Sequence, residues 1–159
     1  MELDRYDRLL LNLVQEDSGR TAKQIARQVP LSASAVQRRL RRLKDEGVIT
    51  RYSAILDPAK LGGPAHFVVS VHVEREPPEL LVHFRDWLAT QTHVQQAFYV
   101  TGEADFVLIV TAPDTDTYDR LMSRMVRDND NVKRFTTNLA LSVVKTGLMI
   151  PVPPIAIEK

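Results

Sequence analysis

The chain of 159 residues contains no cysteine. This absence excludes disulfide bonds, zinc sites built on thiolates and cysteine nucleophiles. None of its six glycines forms a glycine-rich phosphate loop, and no serine lies in a nucleophile-elbow motif. No apolar run approaches the length of a membrane span, and the first 15 residues are amphipathic, unlike a signal peptide. We therefore expect a cytoplasmic protein that is not an enzyme and needs no cofactor.

Histidine, the other common metal ligand, is also scarce, with four in the chain. His66 and His72 share one face of a predicted strand. They are six residues apart, which is about 20 Å at ~3.3 Å per residue, so they cannot hold one ion together. We predict no metal site.

The small net charge of +1 conceals an uneven distribution. The first 52 residues carry 11 basic and 7 acidic side chains, a net charge of +4, and the remainder carries −3. Between Arg20 and Arg51 there are nine basic residues against two acidic ones. Positive charge concentrated in one small module favours phosphate-bearing partners and predicts salt-dependent binding.

Residues 32–44 (SASAVQRRLRRLK) read as an amphipathic helix. One side of this helix is apolar, with Val36, Leu40 and Leu43. The opposite side carries Ser34, Arg38 and Arg41. Ser32 is a candidate N-cap, and Ser34 with Gln37 offers a second capping box. Four arginines within five positions repel one another, so the helix is either a solvated basic helix or a surface for an anionic partner.

The preceding segment favours the second interpretation. Residues 21–28 predict a short helix that begins with a capping box, and residues 3–15 predict a first helix capped by Asp4. Two short helices joined by a turn form a helix-turn-helix, whose second helix enters the major groove of DNA. Pro30 cannot adopt the positive φ common in such turns, so we expect the middle helix to end at Gln28. Gly47 would end the third helix.

The candidate DNA contacts follow from this geometry. We expect four residues to meet bases or backbone in the major groove: Ser34, Gln37, Arg38 and Arg41. Three others would lie mostly on phosphates: Arg42, Lys44 and Arg51.

The rest of the chain alternates between strand and helix patterns. Residues 48–56 predict a strand that leaves the helical module, and proline and glycine then mark a boundary. Further strands are predicted at 66–74, 94–101, 105–112 and 132–145, with helices at 78–89 and 117–128. Alternation places Phe67, Val69, Val71 and Val73 on one face of the first of these strands, and Tyr118 belongs to the apolar core stripe of the second helix. This order is the ferredoxin-like βαββαβ pattern, which makes the protein an α+β chain. The predicted domains are a helix-turn-helix at 1–52, a strand and linker at 53–65, a ferredoxin-like domain at 66–150 and an extended tail at 151–159.

One face of the predicted sheet has an unusual composition. It carries small or mildly polar residues on the first strand (His66, Val68, Ser70, His72) and on the last (Thr136, Asn138, Ala140, Ser142). These side chains are too apolar for a fully hydrated face and too polar for a core. We predict that this face packs against a second copy of the chain, and a dimer would present two recognition helices to a palindromic site.

At this point the chain resembles the Lrp/AsnC ("feast/famine") family of transcription regulators. The resemblance is carried in order by Leu3-Asp4-Arg5-Tyr6-Asp7, Leu31-Ser32, Val36, Arg39-Leu40, Leu43, Gly47-Val48-Ile49, Tyr52, Leu56-Asp57-Pro58, Leu61-Gly62 and Thr101-Gly102-Glu103-Ala104-Asp105. Pro30 stands where the family usually has glycine. The resemblance implies a winged helix-turn-helix-like DNA-binding module and a second module that dimerises, assembles into larger oligomers and binds a small effector, usually an amino acid.

The resemblance places the effector near residues 102–105. The candidate effector-binding residues are Tyr99, Thr101, Gly102, Glu103, Asp105, Thr136 and Asn138, the last two across a subunit boundary. The alternative is that residues 102–105 form only a tight turn. Two alternatives for the whole protein also stay open. It could be an architectural DNA-binding protein whose second domain only oligomerises, or a sensor that regulates an enzyme.

Overall fold

The computed structural model describes residues 2–75 and 77–153 of the chain. These residues form two compact units. The first unit comprises Met1–Ile55 together with the segment from Thr146 onward, and the second comprises Leu56–Lys145. The predicted domain boundaries at 52, 65 and 150 remain predictions, and residues 154–159 of the predicted tail lie outside the described residues.

The first unit contains three helices: α1 (Arg5–Glu16), α2 (Ala22–Ile25) and α3 (Ala33–Asp45). Each begins where a side chain accepts the otherwise unpaired backbone N–H groups of the first turn. The predicted cap of α1, Asp4, accepts from the amides of Tyr6 and Asp7, and the Asp7 carboxylate accepts from the Asp4 amide in return. The predicted capping box of α2 is also present.

The start of α3 agrees with prediction in one respect and differs in another. Ser32 caps the helix by accepting from the Ala35 amide at 3.2 Å, as expected. The second capping box at Ser34 is not formed, because the Ser34 hydroxyl is hydrogen-bonded to the Ser32 hydroxyl at 3.0 Å. Gly47, at φ 74°, lies just after α3 in the left-handed conformation that ends helices.

The middle helix is shorter than predicted. It ends at Ile25 and not at Gln28, and the chain continues in two tight turns in which the Gln28 amide donates to the Ile25 carbonyl and the Leu31 amide to the Val29 carbonyl. Pro30 restricts Val29 and so keeps the helix from continuing toward α3. The earlier end at Ile25 reflects a change to i to i−3 hydrogen bonds, since the Arg27 and Gln28 amides donate to the carbonyls of Gln24 and Ile25. The connection contains no glycine, and no described non-glycine residue has a positive φ.

The core of the first unit is built from the apolar sides of the three helices. It consists of Leu10, Leu11, Val14, Ile25, Val29, Val36, Leu43 and Ile49, all at most 9% exposed. The apolar stripe predicted for α3 is confirmed, since Val36 and Leu43 are fully buried and Leu40 packs against this core.

The strand predicted at 48–56 was wrong. These residues, all within the described part of the chain, form no strand, and most of their side chains are exposed, Ile55 at 90%. Their β-branched and aromatic composition favours extended backbone, but a strand also needs a partner to satisfy its amides. No other described segment hydrogen-bonds alongside them as a strand.

The second unit has the predicted βαββαβ order. After a short 3₁₀ helix at Pro58–Leu61, its elements are β1 (Ala65–Val73), α4 (Pro78–Thr90), β2 (Val94–Tyr99), β3 (Phe106–Ala112), α5 (Thr115–Asp128) and β4 (Val132–Leu139). The four strands form one antiparallel sheet in the order β2-β3-β1-β4. Strands β1 and β3, which each begin a βαβ unit, therefore lie side by side in the centre of the sheet, as in the ferredoxin-like fold.

Both helices contribute to one core beneath this sheet. The inward residues of β1, predicted from the alternation as Phe67, Val69, Val71 and Val73, are at most 6% exposed. They pack with Phe84 and Leu88 from α4 and with three residues of α5, Leu121, Met122 and Met125. Tyr118, predicted to belong to the core stripe of α5, stacks on Phe67 with 3.9 Å between ring centroids.

The last strand is shorter than predicted, ending at Leu139 and not at Lys145. Its partner β1 begins at Ala65, and the Ala140 amide already donates to the carbonyl of His66. Beyond this point β1 offers only Ala65 for pairing. The expectation that Ala140 and Ser142 lie on the last strand was therefore wrong.

The outward face of the sheet is uncovered in the second unit and is partly apolar. Ser70 pairs directly with Thr136 on one side and Val107 on the other, so these side chains share that face. Val68, 37% exposed, pairs with Asn138 and Ile109 in the same way. The predicted shared face is confirmed for the residues of β1 and for Thr136 and Asn138, but not for Ala140 and Ser142, which lie beyond β4. Strand β3 adds apolar residues to this face.

Candidate functional site

The first candidate site is the exposed side of α3. Five side chains are exposed along it, at spacings that place them on one side of a helix: Ser34, Gln37, Arg38, Arg41 and Lys44. The opposite side of α3 is buried in the core of the first unit. The helix thus presents hydroxyl, amide and cationic groups outward, which are the groups that hydrogen-bond to base edges and phosphates.

The four clustered arginines divide into two pairs with different surroundings. Arg38 and Arg41 form no ion pair with any described residue and are exposed. The guanidinium of Arg39 instead donates to Asp4 at 2.7 Å and to Asp7 at 2.9 Å, and that of Arg42 donates to Asp7 at 2.6 Å. Two carboxylates at the start of α1 thereby compensate the mutual repulsion of the cluster, and Arg38 and Arg41 are the pair without an acidic partner among the described residues.

Asp7 is the centre of this ion-pair cluster. Its side chain is only 1% exposed, and its two oxygens accept from both arginines and from the Asp4 amide. An unpaired buried carboxylate would be costly, so the cluster ties the start of α1 to the middle of α3. Sequence reasoning missed this role. Arg39 and Arg42 are one helical turn apart, but nothing in the chain shows that Asp7 faces them.

Asp4 accepts a hydrogen bond from Arg39, which also donates to Asp7. Its partial burial opposes ionisation, but hydrogen bonds from the Asp7 amide, the Arg39 guanidinium and the Tyr6 amide outweigh it and lower the pKa of Asp4 below its usual value. The carboxylate is therefore ionised at neutral pH, and the N-cap keeps its charge.

The structure places the other predicted DNA contacts near the end of α3. The Arg42 side chain is 47% exposed despite its bond to Asp7. The ammonium of Lys44 lies 5.9 Å from the centre of the Tyr52 ring, and Arg51 is exposed on the extended segment after the helix. The seven predicted residues thus all belong to α3 or to the segment that follows it.

The second candidate site is the loop between β2 and β3. Thr101, Gly102 and Glu103 are exposed, and Tyr99 is 49% exposed at the end of β2. The loop closes where the Val100 amide donates to the carbonyl of Asp105 at 2.9 Å. Gly102 has φ 126°, which L side chains rarely adopt, so the sharp turn requires glycine there.

Asp105, predicted as an effector ligand, is engaged inside the second unit. One carboxylate oxygen accepts from the Val73 amide at 3.0 Å, and the other accepts from Nε and Nη2 of Arg75 at 2.9 and 2.6 Å. Burial opposes its ionisation, but these hydrogen bonds outweigh burial and lower the pKa of Asp105. The residue joins the loop to the end of β1, and little of its carboxylate remains for a ligand.

Arg75 is the residue near this loop that sequence reasoning missed. Its side chain is 61% exposed, and both nitrogens that bond to Asp105 lie on one edge of the guanidinium. The other edge, with Nη1, makes no hydrogen bond to the described residues. An exposed guanidinium with an open edge fits a carboxylate well. Arg75 directly follows the strand predicted at 66–74, and no local pattern in the sequence indicates this role.

The remaining predicted effector residues, Thr136 and Asn138, are exposed on β4. Thr136 and Val107 both pair with Ser70, so they lie two strand spacings apart, about 9.5 Å across the sheet. Within one chain these residues therefore do not reach the β2–β3 loop. Only a second copy of the chain could place its Thr136 and Asn138 beside an effector held at the β2–β3 loop, as the sequence prediction assumed.

The described residues contain no cluster of three or more histidine, aspartate or glutamate side chains that could hold a metal ion. Among the helices of the described ranges, none has the length and apolar character needed to cross a bilayer.

Comparison with known proteins gives two family matches. Residues 3–50 match a winged helix-turn-helix DNA-binding model, and residues 66–150 match the Lrp/AsnC ligand-binding domain. An uncharacterized HTH-type transcriptional regulator of Sinorhizobium fredii is 39% identical over 96% of this chain and 90% of its own length. The Bkd operon transcriptional regulator of Pseudomonas aeruginosa is 30% identical over 97% of this chain and 99% of its own.

Solved structures agree with these matches. An AsnC family transcriptional regulator from Agrobacterium tumefaciens superimposes with a TM-score of 0.85 at 29% identity, covering 93% of this chain and 96% of that one. A transcriptional regulator from Neisseria meningitidis, solved as its L-Met complex, has a TM-score of 0.84 at 23% identity, covering 94% and 97%. At that identity the second likeness supports the fold. The chain therefore belongs to the Lrp/AsnC family of transcriptional regulators, with a DNA-binding helix-turn-helix and a ligand-binding domain.

Proposed function

We propose that this regulator binds double-stranded DNA in a sequence-specific manner through the exposed side of α3, and that its DNA affinity responds to an amino acid bound by the second unit. The observation that carries the DNA half is the division of the arginines. Asp7 occupies Arg39 and Arg42, whereas Arg38 and Arg41 are exposed without an acidic partner.

The residues along α3 would have different roles. Ser34, Gln37 and Arg38 lie in its first half, the part of a recognition helix that meets base edges. Arg41 extends the same side of the helix toward the backbone of the DNA. Lys44 and Arg51 carry mobile charges suited to phosphates, and Arg42 offers phosphate its remaining donors while one is held by Asp7.

Two substitutions separate these roles. Arg38→Ala is expected to reduce the preference for a cognate site over a scrambled one, by about 1–3 kcal/mol if Arg38 bonds a base. Lys44→Ala is expected to weaken binding to both sequences alike and to lower the slope of log K against log salt by about one unit. Fluorescence anisotropy at several salt concentrations measures both. An equal loss on both sequences for both variants would contradict the assignment.

We propose the β2–β3 loop as the effector site, with roles revised by the contacts of Asp105. The open edge of the Arg75 guanidinium would take the effector carboxylate together with the exposed Gly102 amide. Glu103, exposed on the same loop, would take the ammonium group. Tyr99 and Thr101 would contact the effector side chain. The Neisseria regulator solved with L-Met supports an amino acid as the ligand class.

A thermal-shift screen of the twenty amino acids tests the effector, with L-Met first. A ligand that binds only the folded state stabilises it by RT ln(1 + [L]/Kd), about 2.7 kcal/mol at 100 Kd. We expect one or a few amino acids to raise the melting temperature, and Arg75→Ala to abolish the shift. If none does, the second unit only oligomerises, and an architectural DNA-binding protein becomes the better account.

The outward face of the sheet is the proposed homodimer interface. Val68, Val107 and Ile109 on adjacent strands, with Phe98 at 48% exposure on β2, form an apolar area that one chain leaves open to water. A second copy would cover it and bring Thr136 and Asn138 of one copy toward the loop of another. Light scattering should give at least a dimer mass, and Val68→Asp should reduce it.

A further inference from the structure

One side of α1 is hydrogen-bonded to residues 150–153 of the same unit. Arg8, Asn12 and Gln15 lie at i, i+4 and i+7, which places them in one row along the helix. The Asn12 side-chain amide donates to the Val152 carbonyl at 2.9 Å and accepts from the Val152 amide at 3.2 Å. Gln15 pairs with Ile150 in the same reciprocal way, at 3.0 and 2.8 Å.

The third member of the row extends this contact by one residue. Nη1 of Arg8 donates to the Pro153 carbonyl at 3.2 Å. The row runs from Arg8 to Gln15 while its partners run from Pro153 to Ile150, so the segment lies antiparallel to α1. Seven helical residues rise about 10.5 Å, and three extended residues span about 10 Å. The two spacings match, which lets all three side chains bond to the segment at once.

The sequence of the segment fits this surface. In Ile150-Pro151-Val152-Pro153 every second residue is proline. Proline has no N–H and holds φ near −65°, so the segment is already extended and its only backbone donors are those of Ile150 and Val152. The Ile150 amide donates to Gln15, and the Val152 amide donates to Asn12. Restricting the free segment in this way reduces the entropy lost on docking.

An apolar contact accompanies the hydrogen bonds. Val152 is partly buried and packs against the core of the first unit. Leu148, Met149, Ile150 and Val152 also line a cavity of about 890 Å³ with the end of α1 and residues 48–55. The docked segment therefore combines an apolar anchor with satisfied backbone groups, as peptides held in binding grooves do.

We propose that the row Arg8, Asn12 and Gln15 is a peptide-binding surface of the DNA-binding unit, and that its occupant is residues 150–153 of the same chain. The chain enters this segment directly from the second unit, at Lys145 and Thr146. The docking thus gives the DNA-binding unit a second connection to the ligand-binding unit, besides residues 50–57. It ends on α1, whose Asp7 holds Arg39 and Arg42 of α3.

Hydrogen–deuterium exchange of the full-length chain, read by mass spectrometry over residues 146–153, tests the docking. We expect the Ile150 and Val152 amides to exchange about tenfold or more slowly than in an unstructured peptide. Asn12→Ala/Gln15→Ala should remove this protection. Gln28→Ala, which removes an exposed carboxamide of the same unit, should leave it intact. Pro151→Gly, which alters no residue of α1, should also reduce protection by freeing the backbone.

Three results would overturn the proposal. Exchange at the unstructured rate in the unaltered chain would show that the segment is not docked. Protection that survives Asn12→Ala/Gln15→Ala would show that other groups hold it. Protection that disappears on dilution, as the oligomer dissociates, would assign the docked segment to a second copy. None of these readings depends on DNA or an effector, so they stand whether or not the proposed function holds.

Discussion

The Asp7 cluster makes a sharp prediction about how the recognition helix is held. In Asp7→Asn the side chain keeps its shape but loses its charge. Charge-assisted hydrogen bonds contribute about 1.5–3 kcal/mol each, and breaking a buried ion pair costs about 3–5 kcal/mol. Arg39 keeps its bond to Asp4, and Arg42 is 47% exposed and can return to water. We therefore expect the first unit to lose about 2–3 kcal/mol of stability.

Urea unfolding followed by far-UV circular dichroism measures this loss. With a slope of about 1–2 kcal/mol/M for a small unit, the midpoint should fall by about 1–3 M. Trp87, the only tryptophan, lies in the second unit, so its fluorescence reports that unit separately. Asp45→Asn is the matched control, because it makes the same change of charge at an exposed residue of α3 and should cost no more than about 0.5 kcal/mol. If both variants lose the same stability, the cluster does not hold α1 to α3.

Three further predictions concern the second unit. Because the pKa of Asp105 is lowered in the folded state, its contribution to stability is fully present above the unfolded pKa of about 3.9 and is lost as the pH falls through the folded value. Asp105→Asn should flatten this acid limb of the stability–pH curve, and an unchanged limb would assign it to other groups. Phe84→Ala removes a fully buried side chain and should lower the free energy of unfolding of the second unit by about 3–5 kcal/mol. Trp87 fluorescence should show this as a shift of the unfolding transition. A loss below about 1 kcal/mol would mean that the site is not packed as described. The Cβ added by Gly102→Ala would meet no atom within 4 Å, but the alanine would have to adopt φ 126°. The substitution should therefore lower the free energy of unfolding by about 1 kcal/mol or more, as measured by calorimetry. A neutral result would show that the loop adopts another conformation.

The sequence predicted elements well where a local signal was sufficient. The caps at Asp4, Thr21 and Ser32 were correct because capping is satisfied within four residues of chain. The inward face of β1 was correct because alternation fixes which side chains share a face. Strand ends were less predictable. The strand at 48–56 and the last six residues of the predicted final strand have suitable composition but no partner backbone in the described chain.

The two candidate sites differ in how far local pattern could define them. For α3, helical periodicity alone separated the buried side from the exposed one. Which arginines remain free depended on Asp7, which is 32 and 35 residues away in the chain. For the loop, glycine and acidic residues marked the turn, but the partner of Asp105 is Arg75, 30 residues earlier.

By itself the sequence determined the identity and order of most elements, the three helix starts, the basic side of α3 and the family. These depend on periodicity, capping and charge, which act over a few residues. Tertiary structure alone decided which charged groups are neutralised, where the strands stop and where residues 150–153 bond to α1. Ion pairs, strand ladders and docked segments join residues far apart in the chain, and their energies exist only once folding has brought both partners together.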